Sequence, residues 1–293
     1  MEITFTCSGQ WIADAFSQLH LSCDVPLRGD VTCPLPVVTA LLMHDSFDHS
    51  EAFERNLERH EWLHAQGMLE PALGRAVSAC TLGQLSTALE TINCMRPVQR
   101  MHGIGIATQN SYSRRFRGPP AVEAIRASVR LFNVRRRHAE RSGIERALAT
   151  YLVLLSIHPF VDGNGRTGRM LFAADVLAHD RDAAPRLMLG LILLHRGRGR
   201  LFHLAAMCAR AGDFSMLATC YSEALSSADR FLPALCPQRG RLALFEEYQK
   251  IDALLKNAPA MHESTAGDVV TAAGRTPGPR RRCRSPGSAV PRR

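Results

Sequence analysis

Apolar positions recur at three- and four-residue steps along almost the whole chain, which predicts helices rather than strands. Trp11, Ile12, Ala15, Phe16 and Leu19 form the first stripe, and a second segment follows Pro36. Residues 48–66 read as a longer helix with Phe53 and Leu57 on one face, and residues 82–95 as another. After Pro119-Pro120, Val122, Ile125, Val129 and Phe132 make a further stripe. Ser142-Gly143-Ile144-Glu145 matches a capping box. The apolar run behind it reaches Ile157 without a polar face, so a central, buried helix is expected there. More helices are expected at 166–178, 185–195, 201–211, 213–235 and 241–257.

One stretch breaks the pattern. Gly103 to Pro120 carries Gly103, Gly105, Gly118 and the Pro-Pro pair, while Ile104, Ile106 and Thr108 alternate and Asn110-Ser111 suit a turn. A short β-hairpin is the expectation. Beyond Pro259 the chain is rich in Pro, Gly, Ser and Arg, a composition that favours disorder. No internal repeat is present. The fold class that follows is all-α.

Apolar residues make up 46% and charged residues 22%, which excludes disorder throughout and coiled-coil or collagen-like classes. The longest apolar stretches, Ala147–Ile157 and Leu187–Leu194, fall short of the ~20 residues a membrane helix needs. No membrane insertion is therefore expected. The N-terminus lacks the basic flank and apolar core of a signal peptide, so a cytoplasmic location is expected, with export by a dedicated machine left open. Nine cysteines are scattered without a Cys-x-x-Cys pair, which argues against a disulfide framework or a cysteine zinc site. The formal charge of +9 suggests a nucleic-acid partner until it is divided. Residues 259–293 hold seven Arg against Glu263 and Asp268, a balance of +5, leaving +4 for the other 258 residues. The excess lies in a tail rather than on a folded face, so nucleic acid is not the expected partner.

Residues 158–169 read His-Pro-Phe-Val-Asp-Gly-Asn-Gly-Arg-Thr-Gly-Arg. Physically this is a helix end, a tight loop and a new helix start. Pro159 disfavours helical geometry at His158, so the buried helix should stop there and hold His158 at the mouth of the loop. Gly163 and Gly165 permit positive φ and close backbone approach, from which successive N–H groups can form an anion-binding nest. The next helix, beginning near Arg166, favours an anion at the same place. Arg166 and Arg169 lie three apart on one helix face, within reach of one polyphosphate. Asp162 supplies a carboxylate beside the nest, and nucleotide-bound Mg²⁺ needs only one or two of these. Phe160 is expected to anchor the loop in the core.

The string resembles the signature of Fic-domain proteins, His-Pro-Phe-x-Asp/Glu-Gly-Asn-Gly-Arg-x-x-Arg, at every specified position. The resemblance covers roughly residues 80–210. It implies an all-helical Fic-type bundle with a small β-hairpin flap beside the active site. The chain then divides into an N-terminal helical region over 1–79, a Fic core over 80–210, C-terminal helices over 211–258 and an Arg-rich tail over 259–293.

The family further implies transfer of AMP from ATP to a Ser, Thr or Tyr hydroxyl of a protein. His158 would be the general base and Asp162 the Mg²⁺ ligand. Gly163, Asn164 and Gly165 would line the anion hole, and Arg166 and Arg169 would stabilise the polyphosphate. Members with Gly-Asn-Gly tend to transfer AMP and those with a Lys in the loop can be kinases, so Gly165 favours AMP. UMP, phosphocholine or phosphate transfer stay open. The partners implied are a nucleotide and a protein substrate, with a homo-oligomer or an inhibitory partner left open.

The flap departs from the pattern. Many relatives carry Gly-x-x-Arg before the hairpin, whereas Gly103-Ile104-Gly105-Ile106 has no such Arg, and Arg114, Arg115 and Arg117 lie further on. These four residues remain candidates for target docking by main-chain pairing. Many relatives are also self-inhibited by a Ser/Thr-x-x-x-Glu-Gly/Asn motif whose Glu pairs with the last Arg of the signature. Ser50 to Arg55 matches except at the final position and makes Glu54 a candidate brake on Arg169; Ser86 to Thr91 fails in the same way.

A rival lies elsewhere. His60-Glu61-Trp62-Leu63-His64 fits His-Glu-x-x-His, which on a helix can bind Zn²⁺ with Glu61 as base, the arrangement of a metalloprotease. Phe53 and Leu57 share that stripe, so a core placement of the histidines competes with it. A non-catalytic interaction protein binding through Arg280-Arg281-Arg282-Cys283-Arg284 is a third reading.

Overall fold

A computed structural model describes residues 3–4, 7–21, 35–44, 50–101, 116–117, 119–140, 143–197 and 199–231. The fold is all-α, as the periodicity predicts. In chain order the described helices are α1 (Gly9–Gln18), α2 (Leu35–Met43), α3 (Ser50–Ala65), α4 (Leu69–Ser78), α5 (Leu82–Asn93) and α6 (Ala121–Arg137). They continue with α7 (Gly143–Ile157), α8 (Asn164–His179), α9 (Ala184–Gly197), α10 (Gly199–Arg210) and α11 (Ser215–Phe231).

α7 is the central helix. Ala147, Leu148, Tyr151, Leu152, Val153, Leu154 and Ile157 are all sealed from solvent, as the run without a polar face requires. Its most extensive partner is α8, and Gly168 explains how the two come close. A Cβ at Gly168 would lie 2.9 Å from the Tyr151 ring, so any larger residue would push α8 away. α8 in turn packs on α2, α4, α5 and α9.

A buried ion network ties this centre together. Arg135 of α6 grips both carboxylate oxygens of Asp175 on α8. Arg146 of α7 approaches the same carboxylate at 3.5 Å, and Thr150 Oγ1 donates to it at 3.5 Å. A further Arg135 nitrogen donates to the Val77 carbonyl of α4 at 2.9 Å. Three helices thus meet on one carboxylate, with α4 joined through Arg135, and its charge is compensated by two guanidiniums, the condition under which a buried charge is tolerated.

The ends of the elements follow local chemistry. Ser8 caps α1 by accepting the Trp11 N–H at 3.0 Å, and Thr81 with Gln84 forms a reciprocal capping box on α5. α4 is absent from the sequence reading, although Leu69, Ala72, Leu73 and Ala76 carry its buried stripe. Pro71 obscures it, yet sits in the first turn, where a missing N–H costs the helix nothing. α8 begins at Asn164, two residues before the expected start. The expected helix at 241–257, Ser142 of the capping box, and the Arg-rich tail over 259–293 lie outside the described residues. So do residues 102–115 and 118, which hold most of the expected hairpin and its docking candidates Gly103, Ile104, Gly105 and Ile106. Just after that span, Phe116–Arg117 pairs in parallel with Ile3–Thr4, a two-residue ladder that no sequence pattern announced.

Candidate active site

The loop between α7 and α8 is built from the residues singled out above. α7 ends where Pro159 requires it, and His158 takes the first position beyond, its N–H still donating to the Leu154 carbonyl at 2.9 Å. His158 adopts φ +54°, a left-handed conformation that non-glycine residues rarely take. Its half-buried ring faces the Leu155 carbonyl through Nδ1 at 3.3 Å. A carbonyl only accepts, so Nδ1 carries the proton and Nε2 is left with a lone pair. Burial lowers the imidazole's pKa below its ordinary value; the Leu155 carbonyl opposes this, Arg100 and Arg210 reinforce it, and Asp162 opposes it. The neutral form, the one able to accept a proton, is therefore favoured.

Phe160 is fully buried and pins the loop, as expected. Gly163 is required twice over: it takes φ +86°, and a Cβ there would meet Met95 Cε at 3.0 Å and Pro97 at 3.3 Å. Asn164 has a role the sequence did not foretell. Its Oδ1 accepts the Phe160 N–H at 2.9 Å and its Nδ2 donates to the Phe160 carbonyl at 2.8 Å. The side chain is spent holding the loop's own backbone, so what Asn164 can offer an anion is its main-chain N–H.

α8 opens beside this turn. The first N–H to bond backwards is that of Thr167, to the Gly163 carbonyl at 2.8 Å, so those of Asn164, Gly165 and Arg166 stand at the helix's positive end. Arg169 is buried, and its guanidinium lies 3.2 Å from where a Gly165 Cβ would be. Gly165 therefore lets the Arg169 side chain lie over the first turn of α8. Asp162 stays exposed: Oδ1 accepts the Gly163 N–H at 2.6 Å and Oδ2 accepts from Arg166 at 3.3 Å. The motif thus comes together as one loop and one helix start, with Arg166 and Arg169 on α8 as expected.

Two arginines that the sequence reading did not place here also belong to the site. Arg100 is buried; its backbone N–H donates to the Pro159 carbonyl at 3.0 Å, and its Nη1 to the carbonyls of Pro119 at 2.9 Å and His158 at 3.2 Å. The neighbouring Val161 N–H donates to the Val98 carbonyl at 2.9 Å, and Gln99 bridges Phe160 in antiparallel register. Arg100 lies ahead of the glycine cluster at Gly103 and Gly105, outside the spacing that the flap pattern expects of its arginine. Arg210, at the end of α10, donates from Nε to Ser156 Oγ at 3.1 Å, and burial lowers its pKa to about 10. No local pattern marks it. Val98, Met101 and Val161 expose apolar side chains beside this strand and loop.

Glu54 lies on α3, which packs on α2, α4 and α5, and no hydrogen bond or ion pair joins it to Arg169 among the described residues. Glu90 of the second partial match faces Arg96 at 3.7 Å. The His-Glu-x-x-His segment is on α3 as its spacing predicts, but the two histidines part company. His60 is wholly buried, with Nδ1 donating to the Asn56 carbonyl at 2.6 Å, while His64 is exposed. Among the described residues no group of three or more His, Cys, Asp or Glu is placed to hold a metal ion. No described helix is long and apolar enough to cross a membrane.

Residues 96–174 match the model of a family described as Fic/DOC. The match begins just ahead of Arg100 and ends within α8, narrower than the stretch the signature suggested. None of the curated proteins compared with the chain matches it.

Proposed function

We propose that this chain, whose residues 96–174 match the Fic/DOC family, is a protein-modifying transferase of that family and transfers AMP from ATP to a hydroxyl side chain of a target protein. The observation that carries the reading is the state of His158. Its Nδ1 faces the Leu155 carbonyl at the mouth of the loop, which leaves Nε2 to accept a proton, and burial with two guanidiniums lowers its pKa.

His158 takes the proton of the incoming Ser, Thr or Tyr hydroxyl, a step best served by an imidazole that is neutral at working pH. The oxygen attacks the α-phosphorus in line, a P–O bond to the target forms, and the bond to pyrophosphate breaks. The main-chain N–H groups at the start of α8 face the phosphates, and Arg166 and Arg169 stabilise the polyphosphate and the charge that builds on the leaving group. Catalysis here is positioning and charge stabilisation on a rigid loop.

Asp162 fits a nucleotide-borne Mg²⁺. Its carboxylate is exposed, is oriented by the Gly163 N–H, and one such oxygen suffices when phosphates and water complete the shell. Mg²⁺ would supply charge neutralisation on the phosphates. The apolar rim of Val98, Met101 and Val161 suits a macromolecular acceptor, since a small hydrophilic substrate would gain nothing from it.

The test is incubation with α-labelled ATP, Mg²⁺ and cell extract, followed by mass spectrometry of the labelled proteins. An adduct with the mass of AMP on a hydroxyl residue, lost in His158→Ala, is the expected result. Absence of any labelled protein would overturn the reaction, an adduct of another mass would replace AMP by another group, and equal labelling by His158→Ala would remove His158 as the base.

A further inference from the structure

The turn that presents His158 is unfavourable for its own residue, so something outside it must hold it. α7 supplies one bond, from the His158 N–H to the Leu154 carbonyl. The carbonyl side of the same residue is held from a distant part of the chain. Arg100 Nη1 reaches both the His158 carbonyl at 3.2 Å and the Pro119 carbonyl at 2.9 Å. The Arg100 N–H bonds the Pro159 carbonyl at 3.0 Å, and the Gln99–Phe160 bridge continues the same ladder.

We propose that Arg100 is a positioning residue for the transfer reaction: its buried fork holds the left-handed turn that aims His158, and fastens that turn to the chain on both sides of residues 102–118. The inference rests on His158 being the base. The side chain serves two carbonyls on two separate segments while buried, His158 and Pro119, both from Nη1 of a planar guanidinium that offers its N–H groups in a fixed fork, while the backbone N–H holds Pro159. Lysine could keep the charge and one or two of these bonds, but not the geometry. Arg100 touches backbone rather than the reacting atoms, so its effect runs through where the imidazole points.

The experiment uses the full chain with Arg100→Met and Arg100→Lys. Initial rates of target labelling are measured against ATP concentration, and amide hydrogen exchange is followed at His158, Phe160 and Val161. For Arg100→Met, kcat should fall on the order of 10²-fold, the cost of a misdirected catalytic group. The KM for ATP should change by less than about 3-fold, because the phosphate site on α8 is untouched. Arg100→Lys should recover part of kcat, and in both variants exchange should quicken at these three amides while α11 keeps its protection.

Wild-type kcat in a folded Arg100→Met would overturn the proposal, as would a loss expressed wholly in KM. If Arg100→Met does not fold, Arg100→Lys decides on the same criteria. If the wild-type chain labels no protein, the reaction proposed above falls instead. The exchange at residues 158–161 then decides the clamp, and unchanged exchange there refutes it.

Discussion

Two histidines in this molecule begin from the same local chemistry and end in opposite circumstances. His60 on α3 and His158 after α7 each donate from Nδ1 to a carbonyl of the preceding turn, Asn56 at 2.6 Å and Leu155 at 3.3 Å. Burial lowers both pKa values, His60's to about 4. The difference is what Nε2 meets. At His60 it is buried without a hydrogen-bond partner, whereas the His158 ring is only partly buried and feels the charge of the exposed Asp162 carboxylate. A neutral imidazole is a catalyst only where a substrate can reach its lone pair; enclosed, the same group is a packing unit with a pH liability.

The contrast can be broken most forcefully at His158. His158→Ala should reduce transfer by ~10²–10⁴-fold, the usual contribution of a general base, with the melting temperature close to wild type. His60→Leu should leave transfer within about 2-fold, since its hydrogen bond runs to Asn56 within α3. Labelling rates and thermal unfolding of both variants check this pair; a swap of the two outcomes would invert the comparison.

Asn164→Ala should cost about 1–3 kcal/mol, the range for leaving buried polar groups such as the Phe160 N–H and carbonyl without partners. It should also lower transfer by at least about 10-fold through a loosened loop. Denaturant unfolding together with labelling rates measures both, and a loss of activity without loss of stability would return the Asn164 side chain to the phosphate site.

pH separates the two rings further. For His60 the folded pKa lies below the ordinary 6.5, so between 6.5 and about 4 the unfolded chain binds a proton the folded chain refuses. Stability therefore falls as pH falls through that window, by up to about 3 kcal/mol from this group, and is steady above it. Unfolding free energies from pH 7 to pH 4 should show this slope in the wild type and a flatter one in His60→Leu. For His158 the same sign appears in catalysis: the acidic limb of kcat/KM should lie below the ordinary histidine value, because protonation abolishes the base. A limb at or above 6.5 would contradict the environment described here. The smallest expected effect is that of zinc, which should neither bind stoichiometrically to the purified chain nor alter labelling in His60→Ala.

Much of the scaffold was readable in advance. Three- and four-residue spacing placed α1, α3, α5, α6, α7, α9 and α10, because an amphipathic helix must turn one face to the core wherever it packs. The run from Ala147 to Ile157 announced its own burial. α4 escaped because Pro71 reads as a breaker when its neighbours are unknown. In the candidate site, the placement of the glycines, Asp162, Arg166 and Arg169 on one loop and one helix start was legible because a short contiguous stretch sets its own geometry by its spacing. Arg100 and Arg210 were not, since each reaches the loop from far along the chain and carries no mark beyond its charge.

Local order, then, settled which residues can turn, cap and bury a face, since those preferences belong to a residue and its near neighbours. Which imidazole meets solvent, whether an asparagine binds a ligand or its own backbone, and which distant guanidinium supports a strained turn were decided by packing. Burial, dielectric surroundings and long-range hydrogen bonds exist only once separate helices have been brought against one another, so no window of sequence contains them.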